Sequence, residues 1–461
     1  MKKLSLFIGA ILFSTLFYRQ NVGLNLTLFS LITFLVLSIY NPKSFKNRRT
    51  ITLGFLYFIT AISIFFYQST LSIVANYVAF FTLVGSVSQH KSSIYINWIN
   101  GLYTFIAGFF HRNFSVLENE QKVKPKKSID YVQWIKIIGI PLVVLIIFIS
   151  LYKNGNPVFN DLISKIDFSF LNFQWILFAA LGYYLLYNIS TPISIDPATE
   201  IDLTTNNYLN KIENFSIENT KKENQLGIIL ISLLNVLIVI FLITDFSFLF
   251  SSNDFRASIF SSQVHDGINA LIASIIIAII IILYFFRGNL NFYRENKTLK
   301  LLSYTWIVLN IILVANTAVK DYQYIYYFGL TYKRIGVLVY LLLTVIGLIT
   351  TSIKVMQIKN FWYLLRVNTI TAFAVLIICC TINWDKHITS YNLNYAKAID
   401  FNYLINLSNN NTLLLKSYSD HLVLNSENKR LVTNKYNNYL NELKTRNWQE
   451  LTYDNFKKEL K

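Results

Sequence analysis

Charged side chains inside an apolar chain are the first place to look for chemistry, because at membrane depth they cost free energy unless something pairs with them. Asp245 lies near the end of the apolar run 226–249, so its carboxylate is expected to meet a cation or take up a proton. Arg256, His265 and Asp266 follow it, and Tyr327, Thr331 and Arg334 fall within the run DYQYIYYFGLTYKR at 321–334. If successive apolar runs cross a bilayer, all these groups reach one side, which predicts an outward-facing polar site for a ligand or ion. Interfacial anchoring is the competing explanation, since tyrosine belts at headgroup level are common and loop ends are polar anyway. His265, with an ordinary pKa near 6.5, is suited to sensing acidification or relaying a proton. Arg366 and Asn368 complete the set. Arg366 is six residues past Asn360, roughly 9 Å into its helix, within snorkelling reach of headgroups. Asn368, like Asn235, Asn310 and Asn316, is placed to bond a neighbouring helix.

None of these groups forms a catalytic constellation. GxxxxGK[ST], HExxH, CxxC and GxSxG are all missing, as is GxGxxG after a strand, and no His or Cys has a second ligand at metal-binding spacing. No catalytic residue, metal or cofactor is therefore expected. Cys379 and Cys380 are adjacent in one apolar run and read as packing residues.

The elements that must position these side chains follow from composition. Hydrophobic residues make up 54% of the 461 and charged residues 14%, against roughly 25% charged in soluble domains. A water-soluble globule is excluded. Eleven apolar runs stand out, at 4–18, 24–40, 51–67, 70–87, 132–152, 171–189, 226–249, 267–286, 300–318, 335–353 and 361–382. The first, behind Met1-Lys2-Lys3, lacks a small-residue cleavage pattern and reads as an uncleaved span. The fold expected is an all-α, polytopic transmembrane bundle of about eleven spans.

A twelfth span at 91–110 is interrupted by Asn97, Asn100 and Gly101, and charge argues against it. With the N-terminus cytoplasmic, loop 41–50 holds four Lys or Arg and segment 111–131 holds five, both inside, as the positive-inside bias requires. Residues 91–110 are therefore expected to be interfacial or re-entrant. The chain divides into a four-span segment 1–90, that interfacial segment with its basic loop at 91–130, a seven-span core 131–383 containing a mobile connector at 190–224, and a tail 384–461. An odd number of spans puts the 78-residue tail in the periplasm of a bacterial inner membrane. Its apolar spacing at Leu431, Tyr436, Tyr439, Leu440 and Leu443 is helical, and it is suited to a protein partner. The net charge of +17 clusters beside apolar runs, so the bilayer, not nucleic acid, is its expected counterpart.

The order YFGLTYKR, a long apolar run, Lys354, NFWYLLRVN and INWD resembles an uncharacterised family of bacterial multi-pass membrane proteins catalogued as a domain of unknown function. Glu223, Leu234-Asn235, Asp245, Val264-His265-Asp266-Gly267 and Arg446-Asn447-Trp448 are similar to its other motifs. The resemblance covers roughly residues 130–461. Ser262 and Ile268 depart from it, where the family pattern has an acidic residue and a phenylalanine, which bears on any carboxylate–imidazole pairing. It implies a membrane location and no established activity. The leading functional expectation is a non-enzymatic regulatory or accessory protein. A secondary transporter of a small solute or ion comes second, and a membrane enzyme acting on a lipid-linked substrate third.

Overall fold

Long apolar runs have few backbone options in lipid, and the helix is the simplest, because it satisfies each N–H and C=O within the run. The computed structural model describes residues 2–120, 172–211, 216–251, 257–421 and 426–457, with scattered residues between 137 and 159, and its named elements are all helical. In chain order they are α1 (Lys2–Phe17), α2 (Leu24–Tyr40), α3 (Arg48–Tyr67), α4 (Thr70–Ser88), α5 (Ile94–Glu120), α6 (Phe173–Ser190), α7 (Ala198–Thr204), α8 (Ile217–Ser251), α9 (Ala257–Phe285), α10 (Lys297–Phe328), α11 (Tyr332–Met356) and α12 (Phe361–Cys380). The tail adds α13 (Trp384–Tyr395), α14 (Phe401–Asn406), α15 (Thr412–His421) and α16 (Ser426–Thr445). Polar residues in the turns start many of them: the side chains of Asn47, Ser69, Asn172, Thr331, Asn360, Asn383 and Asp400 each accept a backbone N–H of a first helical turn.

Among the described residues, α3, α4, α8, α10, α11 and α12 are long and apolar enough to cross a membrane. The chain is thus an all-helical membrane protein. The apolar run 132–152 lies largely outside the described residues. On α8, Leu233, Leu237 and Ile240 are more than half exposed and recur at helical spacing, as a lipid-facing stripe requires.

The packing regroups the sequence's divisions. One core joins α1–α6, with Phe373 and Ile377 of α12 buried in it, and a second joins α8–α11. Residues 91–112 and α6 therefore belong with the first four helices, because the Asn and Gly that break the apolar pattern of α5 are contact residues. Asn100 accepts the N–H of Ile195 at 2.9 Å, and Gly101 lies so close to α4 that a Cβ there would sit 2.0 Å from the Phe81 carbonyl.

The turns gather at two ends. At one, Leu24 donates its N–H to Leu451 at 2.9 Å, Asn410 its amide to the Tyr67 carbonyl at 2.7 Å, and Ala398 its N–H to Tyr327 at 3.1 Å, so the tail covers the ends of α2, α3 and α10. At the other, Asn41 reaches the Ser190 carbonyl, Ser44 that of Val87, and Lys354 that of Phe286, between 2.7 and 3.0 Å. Of the connector 190–224, residues 190–211 lie at this second end: they contain α7, and the N–H of Leu209 bonds Ile358 at 3.0 Å.

Candidate functional site

The structure distributes the sequence candidates over three places. The first is the turn between α10 and α11. Gly329 has φ +81° and ψ 174°, a region essentially reserved for glycine, and a Cβ there would meet the Asn392 side chain at 2.6 Å. Thr331 caps α11 by accepting the Arg334 N–H at 3.4 Å. Arg334 turns back to cap α10, donating to the carbonyls of Phe328 at 2.9 Å and of Gly329, with its guanidinium 4.0 Å from the centre of the Tyr324 ring. Tyr327 carries the tail: its carbonyl takes the Ala398 N–H, and Lys397 lies 4.5 Å over its ring. Asn392 of α13 grips Leu330 through both backbone groups. Beside them the buried carboxylate of Asp385 accepts from Tyr332 at 2.8 Å, Asn410 at 3.2 Å and Ser408. Tyr327 therefore helps to hold the tail on the bundle, while Thr331 and Arg334 shape the turn that the tail grips.

Asp245 lies elsewhere. Its two oxygens accept from Asn316 and Lys320, one helical turn apart on α10. This pair stands at the tail-side end of a cleft of about 670 Å³ between α8, α9 and α10. The cleft walls are mainly apolar, with Leu237 and Phe241 from α8, Ile277 and Ala278 from α9, and Trp306 and Leu313 from α10, while Asn310 adds an amide. Arg256 lies outside the described residues, and His265 and Asp266 are described only as backbone of α9, so their approach to Asp245 also lies outside them.

Arg366 occupies the third place, at the opposite end, and it does not snorkel. Its Nε donates to Ser93 Oγ at 3.1 Å, its Nη1 to Asn207 at 2.6 Å, and its Nη2 to the carbonyls of Asp202 and Thr205 at 2.6 and 2.8 Å. It also pairs with the Asp202 carboxylate at 3.1 Å. Asp202 is buried, and burial alone would raise its pKa, but hydrogen bonds from Ser93, Tyr95 and Arg366 outweigh that and hold it below the ordinary value. This cluster binds α7 to α5 and α12, so its chemistry is cohesive. Asn368 accepts from Thr350 at 3.0 Å, a bond between helices α11 and α12.

Sequence reasoning missed two partners. Lys320 had a signal, since Asn316 and Lys320 share one face of α10 at the i, i+4 spacing. Asp202 had none, being one acid in a polar connector. Residues 7–418 match the sequence model of a family described as "Domain of unknown function (DUF4153)", a span that includes the first third of the chain and ends before α16. No curated protein and no solved structure matches the chain.

Proposed function

The chain belongs to the DUF4153 family, and from that premise we propose that it is a non-enzymatic regulatory or accessory protein of a bacterial cytoplasmic membrane, acting through its tail. In this reading it crosses about eleven times, with the N-terminus cytoplasmic and the tail periplasmic. The observation that carries it is the way the tail is fastened. Tail residues bond the ends of α2 and α3 from the first core and the α10–α11 turn from the second, so one appended unit rests on both helix groups. Of the residues that sequence reading offered as a ligand site at this end, Tyr327 touches the tail and Thr331 and Arg334 shape the turn that it grips. Orientation is supported by the cations at the other end, where Lys43, Lys46, Arg48, Arg49, Arg287 and Lys359 lie in or beside turns.

The transport reading keeps one favourable observation. The cleft beneath Asp245 reaches Asn310, ten residues or roughly 15 Å along α10 from Lys320. Its mainly apolar walls do not suit a small hydrated solute.

A photo-crosslinking residue at exposed Lys429 or Lys444, in native membranes, tests the proposal. A discrete protein adduct from both tail positions, with none from lipid-facing Leu233, is expected. The reading fails if no adduct forms, or if the purified protein in vesicles moves a solute or turns over a lipid-linked substrate unaided.

A further inference from the structure

The cleft that Asp245 closes has an unusual distribution of polarity for a site inside a helical bundle. Among the described residues α8 and α9, which follow one another in the chain, touch little: α8 packs mainly on α10 and α9 on both α10 and α11, so a wedge remains between them. Its floor is Trp306, Asn310 and Leu313 on α10, and its sides are aliphatic and aromatic. Leu237 and Ile277, which line it, are also more than half exposed on the outer surface of the protein, so the wedge opens sideways, toward lipid. From Trp306 to Lys320 the floor runs fourteen residues, roughly 21 Å, comparable with one leaflet and its headgroups, half of a bilayer about 40–45 Å thick. The two charges among the described lining residues, Asp245 and Lys320, stand at one end, with Asn316 on the second carboxylate oxygen. The volume of about 670 Å³ lies within the range of small-ligand sites.

An apolar slot of leaflet length, open to the bilayer and carrying opposite charges at its headgroup end, is complementary to a lipid that has the same distribution. The charge pair selects further. A head bearing only negative charge gains from Lys320 but meets Asp245, and a purely cationic head meets the reverse, whereas a zwitterionic head sets its ammonium toward Asp245 and its phosphate toward Lys320. We infer that the α8–α10 cleft is a binding site for a phospholipid with a phosphoethanolamine-type head, one chain lying along Phe241, Ile277 and Trp306. The inference rests on the membrane placement of the chain and not on any role of the tail, so a tail without a partner leaves it standing.

The test is native mass spectrometry of the full-length protein, purified in detergent and titrated with palmitoyl-oleoyl phosphatidylethanolamine or with the phosphatidylglycerol of the same chains. The wild type is expected to retain the first at least about tenfold more tightly, equivalent to ~1.4 kcal/mol. Ser274→Trp, at an exposed position lining the cleft, fills the slot and should abolish retention of both lipids without lowering the melting temperature. Asp245→Asn with Lys320→Gln keeps a polar, uncharged end and should bind both lipids alike. Equal retention by the wild type overturns the head assignment. Undiminished retention by a folded Ser274→Trp protein overturns the site, and the lipid is then merely annular.

Discussion

At the scale of single residues, two half-buried cations show opposite uses of charge. Arg366 is surrounded by Asp202, Ser93, Asn207 and the Thr205 carbonyl, so its removal strands a buried carboxylate. Arg366→Met is expected to cost ~3–5 kcal/mol, the range for breaking a buried pair from one side. Adding Asp202→Asn should return part of that loss, because no unpaired charge then remains, and denaturation of the single and double variants in detergent reads the coupling. Among the described residues Lys435 in the tail has no such acid in contact: its ammonium donates to the carbonyls of Ile405 and Leu407 at 2.8 and 2.7 Å and to Asn411 at 2.9 Å. Burial pushes its pKa down to about 8, from an ordinary value of 10.5. Between those values the unfolded tail holds more protons than the folded one, so the tail gains stability as pH rises from about 8 and is insensitive to this group below it. Melting curves across that window should show the rise, and Lys435→Met should remove it; an unchanged slope in the variant would sink the assignment.

At the scale of elements, the turn between α10 and α11 combines a helix stop, a helix start and the tail's attachment in a few residues. Gly329 is the part that no other residue replaces, since its φ of +81° is joined by contact with Asn392. Gly329→Ala should cost about 1–3 kcal/mol, concentrated at the tail rather than spread through the bundle. Limited proteolysis reads this: trypsin should release residues after Lys397 much faster in the variant, while the membrane-embedded fragments keep their wild-type pattern. Much of this level was legible beforehand. The glycine turn, Thr331 and the Asn-initiated starts at Asn360 and Asn383 are local signals, and local signals fix where helices begin and end. Contacts between distant elements were not legible. Nothing in the sequence around Asp202 says that Arg366, 164 residues away, would find it, and Tyr327, Thr331 and Arg334 gave no sign that the tail, not a ligand, would occupy their side of the bundle. Asp245 was recognised as a carboxylate needing a cation, but the candidates weighed lay in the loops that follow it, and the partner came from about two turns inside α10.

At the scale of the whole molecule, the two-ended arrangement of turns makes a prediction that no single helix makes. Lys386 and Asn437 belong to the tail end, while Lys43 and Glu200 lie at the other, and all four are exposed. In a chain carrying Cys379→Ala and Cys380→Ala, a single cysteine at each position tests them in turn. With the orientation proposed from the positive-inside bias, a membrane-impermeant maleimide applied from outside should modify Lys386→Cys and Asn437→Cys in intact cells. Lys43→Cys and Glu200→Cys should react only after the membrane is opened. Reversed labelling of both pairs would keep the architecture and invert its direction, which would move the tail to the cytoplasm and remove its proposed periplasmic partner. Labelling that divides either pair would break the architecture itself, because Lys43 and Glu200 are joined through the Ser44–Val87 and Ser93–Asp202 bonds to one set of turns, and no membrane can pass between them. The lipid site is sensitive to the first outcome in a different way. Its charged end lies at the tail side of α8 and α10, so inversion would leave the cleft intact and hand its occupant to the opposite leaflet.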